Sequence, residues 1–117
     1  MNIQIKRIYD EPETTDGYRV LVDRLWPRGI SKERAHLDEW LKDVAPTPEL
    51  RTWFGHAPER FAEFQARYEY ELNDNLAVKQ LQEILRDHES VTLLYAAHDP
   101  KVNHALVLHD FLQRSNT

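Results

Sequence analysis

The pattern of apolar and polar residues predicts three strands. Residues 3–8, with the sequence IQIKRI, alternate as a half-buried strand does, and we expect this strand at an edge of a sheet. Residues 18–22, YRVLV, are rich in β-branched side chains and predict a second strand. Residues 90–97, SVTLLYAA, are a continuous apolar run that is too short for a typical helix. Such a run is typical of a strand buried on both faces of a parallel sheet.

Helical periodicity is strongest in three segments. Residues 58–72 begin with a first-turn proline and place their large apolar side chains on one face. Residues 76–89 repeat apolar side chains on one side, and Asn73 and Asp74 just before them are candidate caps. Residues 103–115 are apolar around much of the helix circumference, so we expect this last helix to pack tightly against the sheet.

Shorter helical signals lie between the second strand and residue 58. Ser31 can cap a short turn, and Thr47 followed by Pro48 gives a cap and a first-turn proline. Residues 36–44 space four apolar side chains at the helical period, which predicts a helix there. The order of strand, strand, helices, strand and helix predicts an α/β fold with a small, mostly parallel sheet flanked by helices.

Length and composition bound the class of protein. A chain of 117 residues with 41% apolar side chains predicts one domain, 1–117, with a modest core. No apolar stretch approaches the roughly 20 residues of a membrane span, and the N-terminus lacks a signal-peptide pattern, so we expect a cytoplasmic protein without a membrane partner. The absence of cysteine excludes disulfides, thiolate zinc sites and thiol nucleophiles.

Charge is unevenly distributed along the chain. The net charge of −5 argues against a general nucleic-acid coat, because affinity for the phosphate backbone requires clustered lysine and arginine. Residues 18–34 nevertheless hold five basic and two acidic residues, a local charge of +3. The basic residues of this segment are Arg19, Arg24, Arg28, Lys32 and Arg34.

Two predicted strands end in dense polar segments. The sequence DRLWPRG at 23–29 follows the second strand, and HDPKVNH at 98–104 follows the third. In open parallel sheets ligands bind beyond the carboxyl ends of the strands, where helix N-termini also present free N–H groups. If the two strands are parallel neighbours, the two segments form the walls of one pocket.

The first segment suggests ligand contacts. Arg24 and Arg28 can bind a phosphate or a carboxylate, although Asp23 can equally pair with one of them and lock the loop. Trp26 can stack on a base or a sugar, but a tryptophan at a strand end is more often a lid on the core. Gly29 permits a positive φ or a close approach of the backbone to a ligand.

Three residues are candidates for proton transfer. Asp23 stands at a strand end and can act as a general base, with His98 and His104 as partners from the second segment. Each has a structural alternative, because a carboxylate can orient an arginine and a histidine can pack and satisfy its ring locally.

The rest of the second segment also contributes candidates. We expect Asp99 mainly to cap the last helix, with Pro100 in its first turn. Lys101 is a candidate rim charge, and Asn103 a candidate ligand-binding residue at the helix start.

Other chemistry finds little support. The chain has no HExxH motif and no carboxylate cluster, so no metal site is predicted. Three glycines cannot supply a phosphate-cradling loop, and no serine lies in a GxSxG motif. The sequence leaves the cofactor and the oligomeric state open.

The motifs VLVDRLWPRG at 20–29 and LYAAHDPKVNHALVL at 94–108, with the long helical middle, resemble the domain-of-unknown-function 488 family in its short YeaO-like branch. The resemblance covers nearly the whole chain and implies a small α/β fold, with no implied activity. Other branches of that family carry a Cys-His-Arg triplet at the start of the last helix. The matching positions here are Asn103, His104 and Ala105, so only the histidine matches.

These observations favour a small-molecule enzyme or sensor that binds an anionic ligand, of phosphate, nucleotide or sugar type, between the two polar segments. The alternative is a non-catalytic binding module that docks nucleic acid or an acidic protein through residues 18–34. A third interpretation makes residues 23–29 a rigid structural corner whose charges pair internally.

Overall fold

The computed structural model describes residues 2–115 and confirms the α/β fold class. The strands are β1 Asn2–Arg7, β2 Tyr18–Leu21, β3 Glu39–Trp40 and β4 Ser90–Tyr95. The α-helices are α1 Lys32–Ala35, α2 Pro48–Phe54, α3 Phe61–Asn73, α4 Leu76–Asp87 and α5 His104–Ser115. Short 3₁₀ turns lie at Thr14–Asp16, Lys42–Val44 and Pro58–Arg60.

The strands form one sheet in the order β1-β4-β2-β3, and the pairs β1–β4, β4–β2 and β2–β3 are all parallel. The predicted edge position of β1 is confirmed. The predicted burial of β4 on both faces is also confirmed, because successive side chains point to opposite faces of the sheet and residues 91–95 are all buried. β2 and β4 are adjacent, with Leu21 in register with Leu94.

Alternation along the strands divides the core into two layers. On one face Val20, Val22 and Leu93 pack with α2 to α5 in the larger layer. On the other face Leu21 and Leu94 pack in a smaller layer. That smaller layer is completed by Ile8, Ile30, Ala35 and the partly buried Trp26, Leu37 and Ala96. The loop after β2 therefore covers one face of the sheet.

The helix predicted over 36–44 is wrong. After α1, whose cap by Ser31 is confirmed, His36 adopts φ 48° and the chain becomes extended. The following residues pair with the open edge of β2, where Leu41 N donates to Leu21 O at 2.9 Å. The four apolar residues with helical spacing do not share one helix face. Leu41 and Val44 pack in the larger core layer and Leu37 packs against the smaller one, while Trp40 is exposed.

The other helix predictions differ from the structure mainly at their ends. The Thr47 cap is confirmed, since its side chain accepts a hydrogen bond from Leu50 N. The helix predicted from residue 58 begins with a 3₁₀ turn and becomes α-helical at Phe61. The cap of α4 is Asn75, because α3 continues through Asn73 and the Asn75 side chain accepts from Ala77 N at 2.9 Å. Within residues 2–115, no helix combines the length and the apolar character needed to cross a membrane.

Candidate functional site

The parallel pairing of β2 and β4 brings the two polar segments to the same edge of the sheet, as predicted. Val22 N donates to Leu94 O at 3.0 Å, which continues the ladder one residue past the end of β2. The next residue, Asp23, accepts from Ala96 N through Oδ2 at 3.0 Å. The carboxylate therefore joins the ends of the two strands directly.

Asp23 and His104 form a side-chain pair at this edge. His104 Nε2 lies 3.0 Å from Val22 O and 3.2 Å from Asp23 Oδ1, and both side chains are 16% exposed. A carbonyl oxygen can only accept, so Nε2 carries the hydrogen. Asp23 Oδ1 is buried without a well-formed hydrogen bond of its own, because the Nε2 hydrogen is directed at Val22 O.

The second ring nitrogen of His104 is free. Nδ1 makes no hydrogen bond to any described residue. With the hydrogen on Nε2, the neutral ring leaves a lone pair on Nδ1, and protonation gives Nδ1 a hydrogen to donate. The pair can therefore accept from a ligand or donate to one.

Asn103 places His104 at the first position of α5. The Asn103 side chain is 1% exposed, accepts from Leu106 N at 2.8 Å and donates to Asp99 O at 2.8 Å. The predicted capping role of Asp99 is therefore wrong, because its carboxylate instead accepts from Lys101 N at 2.8 Å in a local turn. A side chain with both an acceptor and a donor is needed at 103, and asparagine supplies both.

Tyr68 of α3 lies behind the pair. Its ring centroid is 6.2 Å from that of His104 in an edge-on arrangement, and its hydroxyl donates to Val44 O at 2.7 Å. Complete burial, with added repulsion from the carboxylates of Glu71 and Asp23, raises the pKa of Tyr68 well above its ordinary value. The phenol is a neutral support for the imidazole ring and not a proton donor to a ligand.

The side chains of Arg24 and Arg28 do not bind a common partner in the structure. The Arg24 guanidinium donates to Ala45 O at 3.1 Å and to Pro46 O at 3.2 Å. Arg28 is exposed, and its side chain makes no hydrogen bond or ion pair within residues 2–115. Two main-chain carbonyls thus hold Arg24 beside the segment that follows β3.

Trp26 makes the contacts of a core lid. Its indole Nε1 donates to Ile30 O at 2.8 Å, and its ring packs on the smaller core layer and edge-on against Trp40 at 5.5 Å. Gly29 has φ 76°, and a Cβ at this position would meet nothing within 4 Å. The turn itself needs this glycine, since a positive φ is unfavourable for other residues.

The remaining candidates lie at the surface. His98, Asp99 and Lys101 are exposed, and the side chains of His98 and Lys101 make no hydrogen bond or ion pair to any residue of the described range. Among residues 2–115, no three His, Asp or Glu side chains cluster as a metal site would require. The geometry thus joins Asp23, His104 and the supporting Asn103, and leaves the other candidates at the rim or in the packing.

Two residues at and just after the end of β1, Arg7 and Tyr9, were not predicted from the sequence. Arg7 donates through Nε to Ala97 O at 2.9 Å and through Nη2 to Ala96 O at 3.2 Å. Its guanidinium lies 4.9 Å from the ring centroid of Tyr9, whose hydroxyl donates to Arg28 O at 2.7 Å. The signal that could have identified them is the polar stretch that follows β1, since polar stretches also follow the other two predicted strands.

The chain belongs to the domain-of-unknown-function 488 family, as its motifs predicted. The family model that matches residues 2–117 is described as the inactive DUF488-N3 subclade. The chain is 48% identical to the uncharacterized protein YeaO of Escherichia coli K12, over 97% of this chain and 98% of that protein. It is 44% identical to the uncharacterized proteins Rv3073c of Mycobacterium tuberculosis H37Rv and Mb3100c of Mycobacterium bovis, over 94% of this chain and 92% of each of those. No solved structure matches the chain significantly.

Proposed function

We propose that this chain is a non-catalytic sensor that binds an anionic small molecule at the carboxyl ends of β2 and β4. Asp23 and His104 are its central ligand-binding pair. The observation that carries the proposal is the state of the His104 ring, which is fixed on one side by Val22 O and Asp23 and has an unpartnered Nδ1 on the other.

Charge around the pair favours an anion. A protonated His104 donates a charge-assisted hydrogen bond from Nδ1 to a ligand oxygen, while Asp23 balances the imidazolium. The N-terminus of the twelve-residue helix α5 adds a partial positive charge at the same place. The exposed Arg28 and Lys101 extend the basic character along the segments that border the edge.

Several observations favour binding over turnover. The chain has no cysteine, and the buried Asn103 side chain is fully occupied in capping α5. Residue 105 is a completely buried alanine, so the site has no arginine guanidinium at this position. The description of the matching subclade as inactive agrees with a protein that retains a ligand site without its chemistry.

The test measures ligand-induced stabilisation by thermal unfolding with inorganic phosphate, a nucleoside monophosphate and a sugar phosphate. Ligand at 100 times its dissociation constant stabilises the folded state by about 2.7 kcal/mol, a rise in Tm of roughly 10 °C for a chain of this size. We expect this rise for the parent protein and a loss of most of it for His104→Gln.

The matched control is His109→Gln. His109 lies on the same helix, and its Nε2 also lies 3.0 Å from a strand carbonyl, that of Ile3. We expect this variant to keep the ligand-induced rise. The proposal fails if none of the three anions stabilises the parent protein, or if His104→Gln and His109→Gln respond alike.

The alternative function, docking through residues 18–34, has less support. Arg19 is 4% exposed and donates to Ala35 O and His36 O, and Arg24 is held by main-chain carbonyls. These contacts remove two of the five cations of that segment from its surface. Binding to an oligonucleotide with a steep salt dependence, unaffected by His104→Gln, would favour this alternative.

A further inference from the structure

A groove with two sections crosses the surface of α2, α3 and the start of α4. The first section, of about 710 Å³, lies between the 43–47 segment and the start of α4. The second section, of about 570 Å³, lies between α2 and α3. Thr47 and Glu71 line both sections, so they form one acidic groove. Neither lining includes Asp23 or His104, so this groove is separate from the proposed ligand site.

Three carboxylates of the acidic groove have no cationic partner in the described part of the chain. Glu71 accepts from Thr47 N at 3.1 Å and from Thr47 Oγ1 at 2.7 Å but makes no ion pair. The side chains of Glu49 and Asp74 make neither a hydrogen bond nor an ion pair within residues 2–115. Asp74 lies between the C-terminal end of α3 and Asn75, the N-terminal cap of α4, so the two helix dipoles act on its charge in opposite directions.

The arginines that line the groove are already paired. Arg24 donates to two carbonyls and lies 3.7 Å from Asp43, while Arg67 pairs with Glu63 and lies over the Trp53 ring at 4.5 Å. Because both arginines are engaged with these partners, neither forms an ion pair with Glu49, Glu71 or Asp74.

The groove also holds the two most exposed large apolar side chains of the described residues. Leu76, in the first section, is 76% exposed, and Tyr70, in the second, is 75% exposed. Uncompensated carboxylates beside apolar anchors match a ligand that is both basic and apolar. Polyanions, such as nucleic acids and acidic membranes, are repelled by the same carboxylates.

We propose that the acidic groove binds a basic amphipathic segment of a partner protein. The basic side chains of the partner pair with Glu49, Glu71 and Asp74, and its apolar side chains pack on Leu76 and Tyr70. This mode of recognition is that of an amphipathic helix in a surface groove.

The probe is a fluorescein-labelled helical peptide with a leucine face and a lysine face, and binding is followed by fluorescence anisotropy at roughly physiological salt. We expect Leu76→Ser to weaken binding about tenfold through loss of apolar contact. The double variant Glu49→Gln/Asp74→Asn should weaken it about fivefold through loss of two ion pairs. All three positions are exposed, so these changes leave the fold intact.

The control is the double variant Glu83→Gln/Asp87→Asn. Both residues are exposed on α4 outside the groove, and this change alters the net charge by the same amount. We expect it to bind the peptide as the parent protein does. The proposal is overturned if the control weakens binding as much as the groove variant does, if a lysine homopolymer binds as tightly as the amphipathic peptide, or if the peptide does not bind.

Discussion

Replacing Asn103 with alanine tests the device that positions His104. The change removes the cap of α5, which is worth about 1 kcal/mol, and the hydrogen bond to Asp99 O, which is worth about 1 kcal/mol more. Because residue 103 is 1% exposed, water replaces these bonds poorly, and we expect a total loss of about 2 to 3 kcal/mol. For a chain of this size the loss lowers Tm by roughly 10 °C.

Asn75 provides a comparison within the same molecule. It caps α4 by accepting from Ala77 N at 2.9 Å and donates to Asp43 O at 2.9 Å, so it makes the same two kinds of bond as Asn103. Asn75 is only half-buried, and water can replace part of what is lost, so Asn75→Ala should reduce the free energy of unfolding by about 1 kcal/mol. Urea unfolding of both variants measures the difference. Equal losses would refute the argument that burial makes the Asn103 cap the stronger one.

Three further predictions concern the scaffold. Burial alone raises the pKa of Asp16, but hydrogen bonds from Glu13 N–H, Lys6 and Arg19 outweigh burial and lower it. The free energy of unfolding should therefore fall as pH drops below about 4, and urea titrations should show a flatter acid limb for Asp16→Asn. Gly17→Ala should prevent stable folding, seen as loss of the cooperative thermal transition, because φ is +65° and the new Cβ would lie 2.2 Å from Ser90 O. Trp26→Ala should lower the free energy of unfolding by about 3 kcal/mol in urea, and a near-neutral result would contradict its role as a lid on the smaller core layer.

The parts of the fold that depend on local periodicity could be predicted. The apolar run of β4 and the apolar faces of α3 and α4 are set by neighbours within one or two turns, and the structure has all three. β3 could not be predicted, because it has two residues and depends on hydrogen bonds that its neighbouring residues donate to the open edge of β2. Residue spacing alone carries no information about such an edge.

The candidate site, too, could be predicted only in part. The meeting of the segments after β2 and β4 follows from parallel topology, which sequence order suggests, and it brought Asp23 and His104 together. The destination of Arg24 depends on carbonyls 21 and 22 residues away along the chain. Arg7 could not be assigned from the sequence, because its carbonyl partners lie 89 and 90 residues away along the chain. Long-range polar partners of this kind are specified only by the folded backbone.

The two polar segments of the candidate site have different surroundings. In the segment after β2, Trp26 and Ile30 cover the smaller core layer, and Arg24 joins the loop to residues 45 and 46. A change of loop conformation there would expose the core. The segment after β4 carries exposed residues with few contacts, including His98 and Lys101, on a turn supported by the buried Asn103. Ligand specificity in the proposed sensor is therefore expected to vary with residues 98–101, while residues 23–30 are held by the stability of the fold.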